Sequence, residues 1–316
     1  MQNERDRAMQ VCGRQMIVEG KLIRIARMDA ESFSFLEDPI AAVSALKRGE
    51  SRVDIFTFVQ KLSDREPRHN YPMEWDNLAA VQVSTYDDWL SKQINFKVRN
   101  KVRKAAKSGV TVREMAYDDF LIDGICEIYN ESEVRQGKRF WHFGKDRDTV
   151  RNMNGTYLNQ TIFLGALFED QLIGFVKLVV NEDQSQAGLM QIVSMMKHRD
   201  KAPTNALIAQ AVRTCADRGI PYLWYANFSY GRKQTDSLAE FKKHNGFEKI
   251  EIPRYYVPLT LAGRAALRLG AHRKAIDWVP EPVTAAYRKA RCVWYARRAA
   301  SMTNSVVEVK PVEQPE

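Results

Sequence analysis

The sequence predicts a mixed α/β protein, a sheet flanked by helices, with an N-terminal α/β region before it and a helical C-terminal extension after it. Two observations point there. From Val110 onward the apolar residues switch repeatedly between a two-residue and a helical period, and a pair of strands is joined by the short acidic turn Glu169-Asp170-Gln171. A third observation excludes a doubly wound dinucleotide fold: no glycine-rich turn follows the first clear strand.

The first ninety residues are the least periodic. Residues 52–61 (RVDIFTFVQK) alternate as a strand, 64–72 form a polar connector with two prolines, and 77–84 read as a second strand. Ser84 or Thr85 then caps a short helix over 86–90. Residues 97–107 place six cations and no acid in eleven positions, while Ile94, Val98, Val102, Ala105 and Ala106 recur at helical spacing. This is a basic amphipathic helix, stopped by Gly109.

A strand over 110–115 follows, then a helix over 118–133 with Leu121, Ile125 and Ile128 on one side. The polar, aromatic loop 135–145 (RQGKRFWHFGK) leads to a second helical stretch near 149–158. Strands over 161–168 and 172–180 form the hairpin, and a third covers 187–196. After the loop 197–203, Thr204 is the expected N-cap of a helix striped by Ile208, Ala211, Val212 and Cys215. A strand over 220–227, a helix over 235–245 and a strand over 247–252 close the domain. No internal repeat is visible.

Composition bounds the function. Of 316 residues 45% are hydrophobic and 28% charged, which excludes disordered and fibrous classes. A net charge of +9 attracts anions without naming one. Cys12, Cys126, Cys215 and Cys292 lie far apart, so no zinc or disulfide framework is indicated. The polar residues 1–10 contain no signal-type apolar run, and no stretch reaches membrane-spanning length. The expected location is the cytoplasm, with peripheral contact at the inner membrane face left open.

Between Val110 and Val257 the element order resembles the GNAT N-acyltransferase fold. Three phrases sharpen the resemblance: the hairpin 163–176 (FLGALFEDQLIGFV) and the closing phrase 238–247 (LAEFKKHNGF) are similar to GNAT elements, and the basic segment 96–110 (FKVRNKVRKAAKSGV) resembles the helix that precedes the catalytic domain in the FemAB-like and BioF2-like branch. The resemblance implies an acetyl-CoA or other acyl-CoA co-substrate and no metal. It implies a phosphate site between the third strand of the hairpin group and the next helix. GNAT enzymes place glycines there; this chain has 197–206 (KHRDKAPTNA) with none. FemAB-like proteins also depart at this loop, and some of them take an aminoacyl group from tRNA.

Candidate residues follow. Met196, His198, Arg199, Lys201, Thr204, Asn205 and Ala206 are the expected cofactor-binding set, through charge-assisted contacts and first-turn N–H groups. Glu133 and His142 are candidate bases in the aromatic loop, Asn227 a candidate acceptor of a donor amide, and Tyr230 a candidate acid in place of the tyrosine that Phe241 replaces. Each has a plain reading beside it: a solvated loop, an anchored aromatic, a turn asparagine. The basic helix 97–107 fits a solvated face, a polyanion such as tRNA, or an acidic membrane. In the extension, Val283, Ala286, Tyr287, Ala290, Val293 and Trp294 form a stripe that either packs on the domain or lies at an interface.

The expected organisation is an α/β region over 1–95, the transferase domain over 96–258, a basic helical extension over 259–305 and a tail over 306–316. The expected reaction is transfer of an acyl group from a CoA thioester to an amine. Its rivals are a tRNA-dependent aminoacyltransferase acting on a cell-wall precursor, and a non-catalytic module binding RNA or a membrane. The acceptor expected is an amine-bearing small molecule or a cell-wall precursor.

Overall fold

The computed structural model describes residues 7–273 except 30, 32, 136 and 230–236. In chain order the elements are β1 (Arg7–Val11), β2 (Arg14–Glu19), β3 (Ile25–Met28), α1 (Pro39–Arg48), β4 (Ile55–Val59), β5 (Met73–Gln82), α2 (Tyr86–Asp88) and α3 (Phe96–Lys107). Then come β6 (Thr111–Met115), α4 (Asp119–Asn130), β7 (Val134–Arg135), β8 (Lys138–Arg139), α5 (Arg147–Asn154), β9 (Thr161–Phe168), β10 (Gln171–Val180) and β11 (Ala187–Ser194). The order ends with α6 (Pro203–Asp217), β12 (Tyr222–Asn227), α7 (Ser237–His244), β13 (Glu248–Pro258) and α8 (Leu261–Arg268). The extension's stripe from Val283 to Trp294 and the tail lie outside the described residues.

Eleven strands form one mixed sheet in the order β1-β2-β3-β4-β13-β5-β12-β11-β10-β9-β6. The strands of residues 1–95 therefore continue the same sheet as the later ones. All pairings are antiparallel except β3 with β4 and β11 with β12. The two parallel junctions have the same construction. An antiparallel group (β1-β2-β3 or β9-β10-β11) leads through one helix, α1 or α6, to a parallel strand, β4 or β12. Each junction is held by two residue pairs only: Ile25 to Ile55 and Ala26 to Phe56 in one, Ala187 to Leu223 and Gly188 to Trp224 in the other. Beyond those pairs the strands part, so each half of the sheet contains a wedge. The fold is internally duplicated although the sequence shows no repeat.

The halves are joined by exchange. β13, the last strand in sequence, pairs with β4 of the first half, and β5 of the first half pairs with β12. β5 and β13 pair with each other along Glu248–Tyr255. A side-chain seam adds to this: Arg14 makes two bonds to Glu182 (2.5 and 2.7 Å), and Leu62 N–H donates to Gln186 Oε1 (3.1 Å).

Local chemistry explains most element ends. The β9–β10 turn has positive φ at Glu169 and Asp170, which matches the right-handed twist of the hairpin. Asn95 caps α3 by accepting from Val98 N–H at 2.8 Å. The largest core includes Trp89, Leu121, Ile125, Tyr129, Phe175, Leu207, Val212 and Cys215. Leu172 stands against Gly124 and Gly165, where any Cβ would approach its side chain within 2.8 Å. Small residues there let α4 approach the hairpin closely.

Candidate functional site

The wedge between β11 and β12 is one of the two places where this fold leaves unpaired strand ends beside a helix N-terminus. β11 carries an irregularity: Lys177 of β10 pairs with Gln191 and Leu178 with Leu189, so Met190 is an extra residue outside the β10 ladder. β12 has its own irregularity between Trp224 and Asn227, with Ala226 in the left-handed region (φ 49). Both walls of the wedge therefore leave regular pairing at the level where they part.

The loop from β11 to α6 is held from below by an ion pair. Glu131 accepts from Met196 N–H (2.6 Å) and Lys197 N–H (2.8 Å), and Arg135 donates to Glu131 at 3.2 Å. The same guanidinium donates to the carbonyls of Ser194 (2.9 Å) and Ile128 (2.5 Å) and lies 4.3 Å from the Phe140 ring centre. Arg135 was flagged by the sequence only as a charged member of the aromatic loop, and Glu131 was not singled out at all. Their four-residue spacing crosses a helix end, so no helical pattern flags the pair, and nothing local says that a loop sixty residues on will need two N–H acceptors.

On that clamp sit the expected donor-binding residues. Met196, Lys197 and Arg199 are exposed. Lys201 lies 4.6 Å from the centre of the Phe168 ring, against which His198 also packs. Burial, then Lys197 and Lys201, hold the His198 imidazole below its ordinary pKa. Ala202, with φ 56, is the N-cap residue of α6, and the helix starts at Pro203. Thr204 is therefore within the first turn and not the cap; its hydroxyl meets Ser194 Oγ at 2.6 Å. Asn205 is buried and donates to Asn245 Oδ1 (3.1 Å), away from the loop surface. The N–H groups of Asn205 and Ala206 both donate to the Ala202 carbonyl (3.1 and 3.3 Å). Pro203 has no N–H. The first turn thus offers little backbone cradle, and the positive charge at this helix end comes from side chains plus the helix dipole.

The other candidates fall on the wedge walls or the surface. Asn227 ends β12, where its carbonyl accepts from buried Lys242 Nζ (2.5 Å). Tyr230 lies outside the described residues. Glu133 is at the surface, paired with Arg139 at 3.5 Å, and its carbonyl closes the loop by accepting from Phe140 N–H (2.7 Å). His142 stacks on Tyr129 at 4.3 Å, and its Nε2 is 3.3 Å from Gln191 Nε2. Burial first, then Lys145 and Arg135, push the His142 pKa down to about 4, so the ring is neutral at pH 7. With Gln191 donating to Nε2, the proton of the neutral ring sits on Nδ1, which is buried without a protein partner.

Gln191 also donates to the Tyr129 hydroxyl at 2.5 Å. Burial pushes the Tyr129 phenol up to about 12. On the same face of β10 Lys177 is fully buried, donating to Asn154 O (2.9 Å), Thr156 O (2.6 Å) and Thr156 Oγ1 (2.7 Å). Burial lowers its pKa to about 8. All three ammonium protons are satisfied, so Lys177 fixes the end of α5. The group His142–Gln191–Tyr129 joins the aromatic loop to the β11 wall a second time, beside the Arg135 bond to the Ser194 carbonyl. Tyr129 and Gln191 were missed because each reads as an ordinary member of its periodic stripe. Among the described residues no cluster of three or more metal-ligating side chains exists.

The mixed sheet, the antiparallel group, the splayed parallel pair and the helix that follows make a GNAT-like fold, as the element order predicts. Solved structures of that kind match nearly the whole chain. FemX covers 83% of this chain and 90% of its own length (TM-score 0.57, 11% identity). The structure of L-PGS from Bacillus licheniformis covers 85% and 90% (TM-score 0.53, 11% identity). The C-terminal domain assigned to a lysylphosphatidylglycerol synthetase from Agrobacterium fabrum covers 83% and 87% (TM-score 0.53, 14% identity). These likenesses concern the fold. No family model matches the chain, and no curated protein matches it.

Proposed function

We propose that this protein transfers an acyl group from a CoA thioester to an amine, with the donor's phosphates at the 196–204 loop and its carbonyl in the β11/β12 wedge. The observation that carries the reading is the pairing of parted β11 and β12 strand ends with a clamped cationic loop at a helix N-terminus without a side-chain cap. Lys197, His198, Arg199 and Lys201 supply charge-assisted donors where glycine N–H groups serve in other members of the fold class. In this reading the Met190 peptide, which lies outside the β10 ladder, donates its N–H to the thioester carbonyl as that becomes an oxyanion.

The amine attacks that carbonyl, a tetrahedral intermediate forms, and the thiolate leaves and is reprotonated. Attack needs a free amine. His142 at about 4 is too weak a base to strip an ammonium near neutrality. Its neutral ring instead serves as a hydrogen-bonding wall with Gln191 and Tyr129, and the acceptor loses its proton to water or to a group outside this cluster. Differential scanning fluorimetry tests the donor: acetyl-CoA or a longer acyl-CoA raises Tm with saturation. No shift with any CoA species overturns this reading.

A second donor, aminoacyl-tRNA with a cell-wall or lipid-linked amine acceptor, is favoured by one observation. α3 packs beside α6 and the Arg199–Lys201 turn, so its exposed Lys97, Lys101, Arg103, Lys104 and Lys107 extend the loop's positive surface. Among the described residues none of these five has an ion-pair partner. A twelve-residue helix adds about 18 Å to the positive surface, more than a single pyrophosphate uses and suited to a phosphodiester backbone. Saturable stabilisation by charged tRNA and none by CoA decides for it.

A further inference from the structure

α8 buries the wrong side chains for an ordinary surface helix. Its inward residues are Gly263 and Ala266, and its outward stripe is Leu261, Arg264, Ala265, Arg268 and Leu269, spaced i, i+3, i+4, i+7, i+8. Leu261 is 79% exposed and Leu269 73%, among the most exposed large apolar residues described. The helix is fastened in that orientation. A Cβ at Gly263 would stand 2.0 Å from the Asp54 carbonyl oxygen, so only glycine permits the approach. Asp54 is itself buried and accepts from Thr260 Oγ1 (2.7 Å) and Arg24 N–H (3.0 Å), while Thr260 Oγ1 caps α8 by accepting from Gly263 N–H (3.1 Å). Burial pushes the Asp54 carboxyl up, and these bonds together with Arg52 outweigh it and hold the carboxylate charged.

Arg264 and Arg268 have no acidic partner among the described residues. They begin a basic C-terminal stretch. Residues 261–305 hold nine lysines and arginines against two acids, a net +7 of the chain's +9. That stretch also contains Trp278, Tyr287, Trp294 and Tyr295, residue types that favour the boundary of a bilayer.

We propose that the outward face of α8 docks on an anionic lipid surface, its leucines entering the acyl boundary and its arginines meeting lipid phosphates. Charge and apolarity decide the occupant together. A nucleic acid rewards the arginines and leaves the leucines in water; α3, whose outward face is mainly lysine and arginine, is the better nucleic-acid surface. Residues 274–305 carry six cations and two acids and so repel the same arginines. The bilayer satisfies both halves of the stripe. This inference stands independently of which acyl donor the wedge accepts.

Sedimentation of the full chain with vesicles tests it. Association is expected with phosphatidylcholine vesicles containing 30–40 mol% phosphatidylglycerol (about a third anionic lipid, enough to set a clear surface potential) and not with phosphatidylcholine alone. Leu261→Ser with Leu269→Ser lowers the partition coefficient on the order of tenfold with Tm retained. Arg264→Gln and Arg268→Gln lower it about fivefold each. Unchanged vesicle partition in the leucine variant overturns the proposal. So does a fall in Tm without a loss of partition, which assigns the leucines to packing under residues 274–316. Binding of an RNA homopolymer lost in the arginine variants, with no vesicle binding, overturns it in favour of a nucleic acid.

Discussion

At the mouth of the β3/β4 wedge the chain carries Asp29, Glu31, Glu37 and Asp38; at the mouth of the β11/β12 wedge it carries Lys197, His198, Arg199 and Lys201, with Asp200 the one acid. The scaffolds match, and the chemistry is reversed. In the first half Asp38 caps α1, accepting from Ile40 and Ala41 N–H at 2.9 Å each, so the helix end is already neutralised. Glu31 is drawn in by Arg254, which donates to it at 2.7 and 3.0 Å, to Asp76 at 2.7 Å and to Thr57 Oγ1 at 3.3 Å. Despite its burial, these two acids raise the Arg254 pKa further. Arg254 thus ties the loop before α1 to β13, β5 and β4 through the protein's own charges. In the second half the helix end has no side-chain cap and the loop is basic. Two junctions of the same construction therefore differ in charge at their helix ends.

The comparison can be broken most severely at Arg254. Arg254→Ala leaves Glu31 and Asp76 facing each other without a cation and should cost about 3 kcal/mol in urea unfolding; a cost below 0.5 kcal/mol (roughly the scatter of surface substitutions) would mean that the first wedge is not held by this network. Acid comes next. The folded His142 pKa of about 4 lies below the unfolded value, so the unfolded chain binds the extra proton first. Stability present above pH 6.5 should therefore fall between pH 6.5 and 4, by roughly 2–3 kcal/mol. His142→Gln should flatten that part of the pH–stability curve, and an unaltered slope would remove the ring from the account.

Glu131→Ala removes the acceptor for two loop N–H groups and should lower stability by about 2 kcal/mol, while weakening donor binding that the first wedge never had. Replacing Lys197, Arg199 and Lys201 by Gln should raise the donor Kd about 10- to 100-fold with Tm unchanged, measured by isothermal titration; equal affinity would separate the loop from donor binding. The smallest effect sharpens the helix-end contrast. Ala202 sits in the left-handed region, and Ala202→Gly should stabilise the chain by about 1 kcal/mol, whereas Asp38→Ala should destabilise it by about 1 kcal/mol.

Much of the second half was legible because its signals are local. The strand 161–168 is found with its expected boundaries, and the hairpin, α3 with its stop at Gly109, and the order through β13 follow from period and turn chemistry. The first half was not. β1, β2, β3 and α1 are short, and their apolar faces are shared with strands far along the chain, so neither period nor length stands out. The N-cap of α6 fell on Ala202 and not Thr204 because Pro203 sets the first helical φ while the preceding residue takes a left-handed conformation that no local rule assigns to alanine.

Taken alone, the sequence determined which segments are strands and helices in the second half, where the cations gather, and that glycine is absent from the loop after β11. These follow from nearest-neighbour preferences and residue counting. Only the tertiary structure decided that the chain is duplicated, that β5 and β13 are exchanged, and that Glu131 with Arg135 holds the basic loop while Arg254 with Glu31 closes its counterpart. Those outcomes depend on residues up to 223 positions apart, and a contact between distant charges leaves no trace in the local pattern that could announce it.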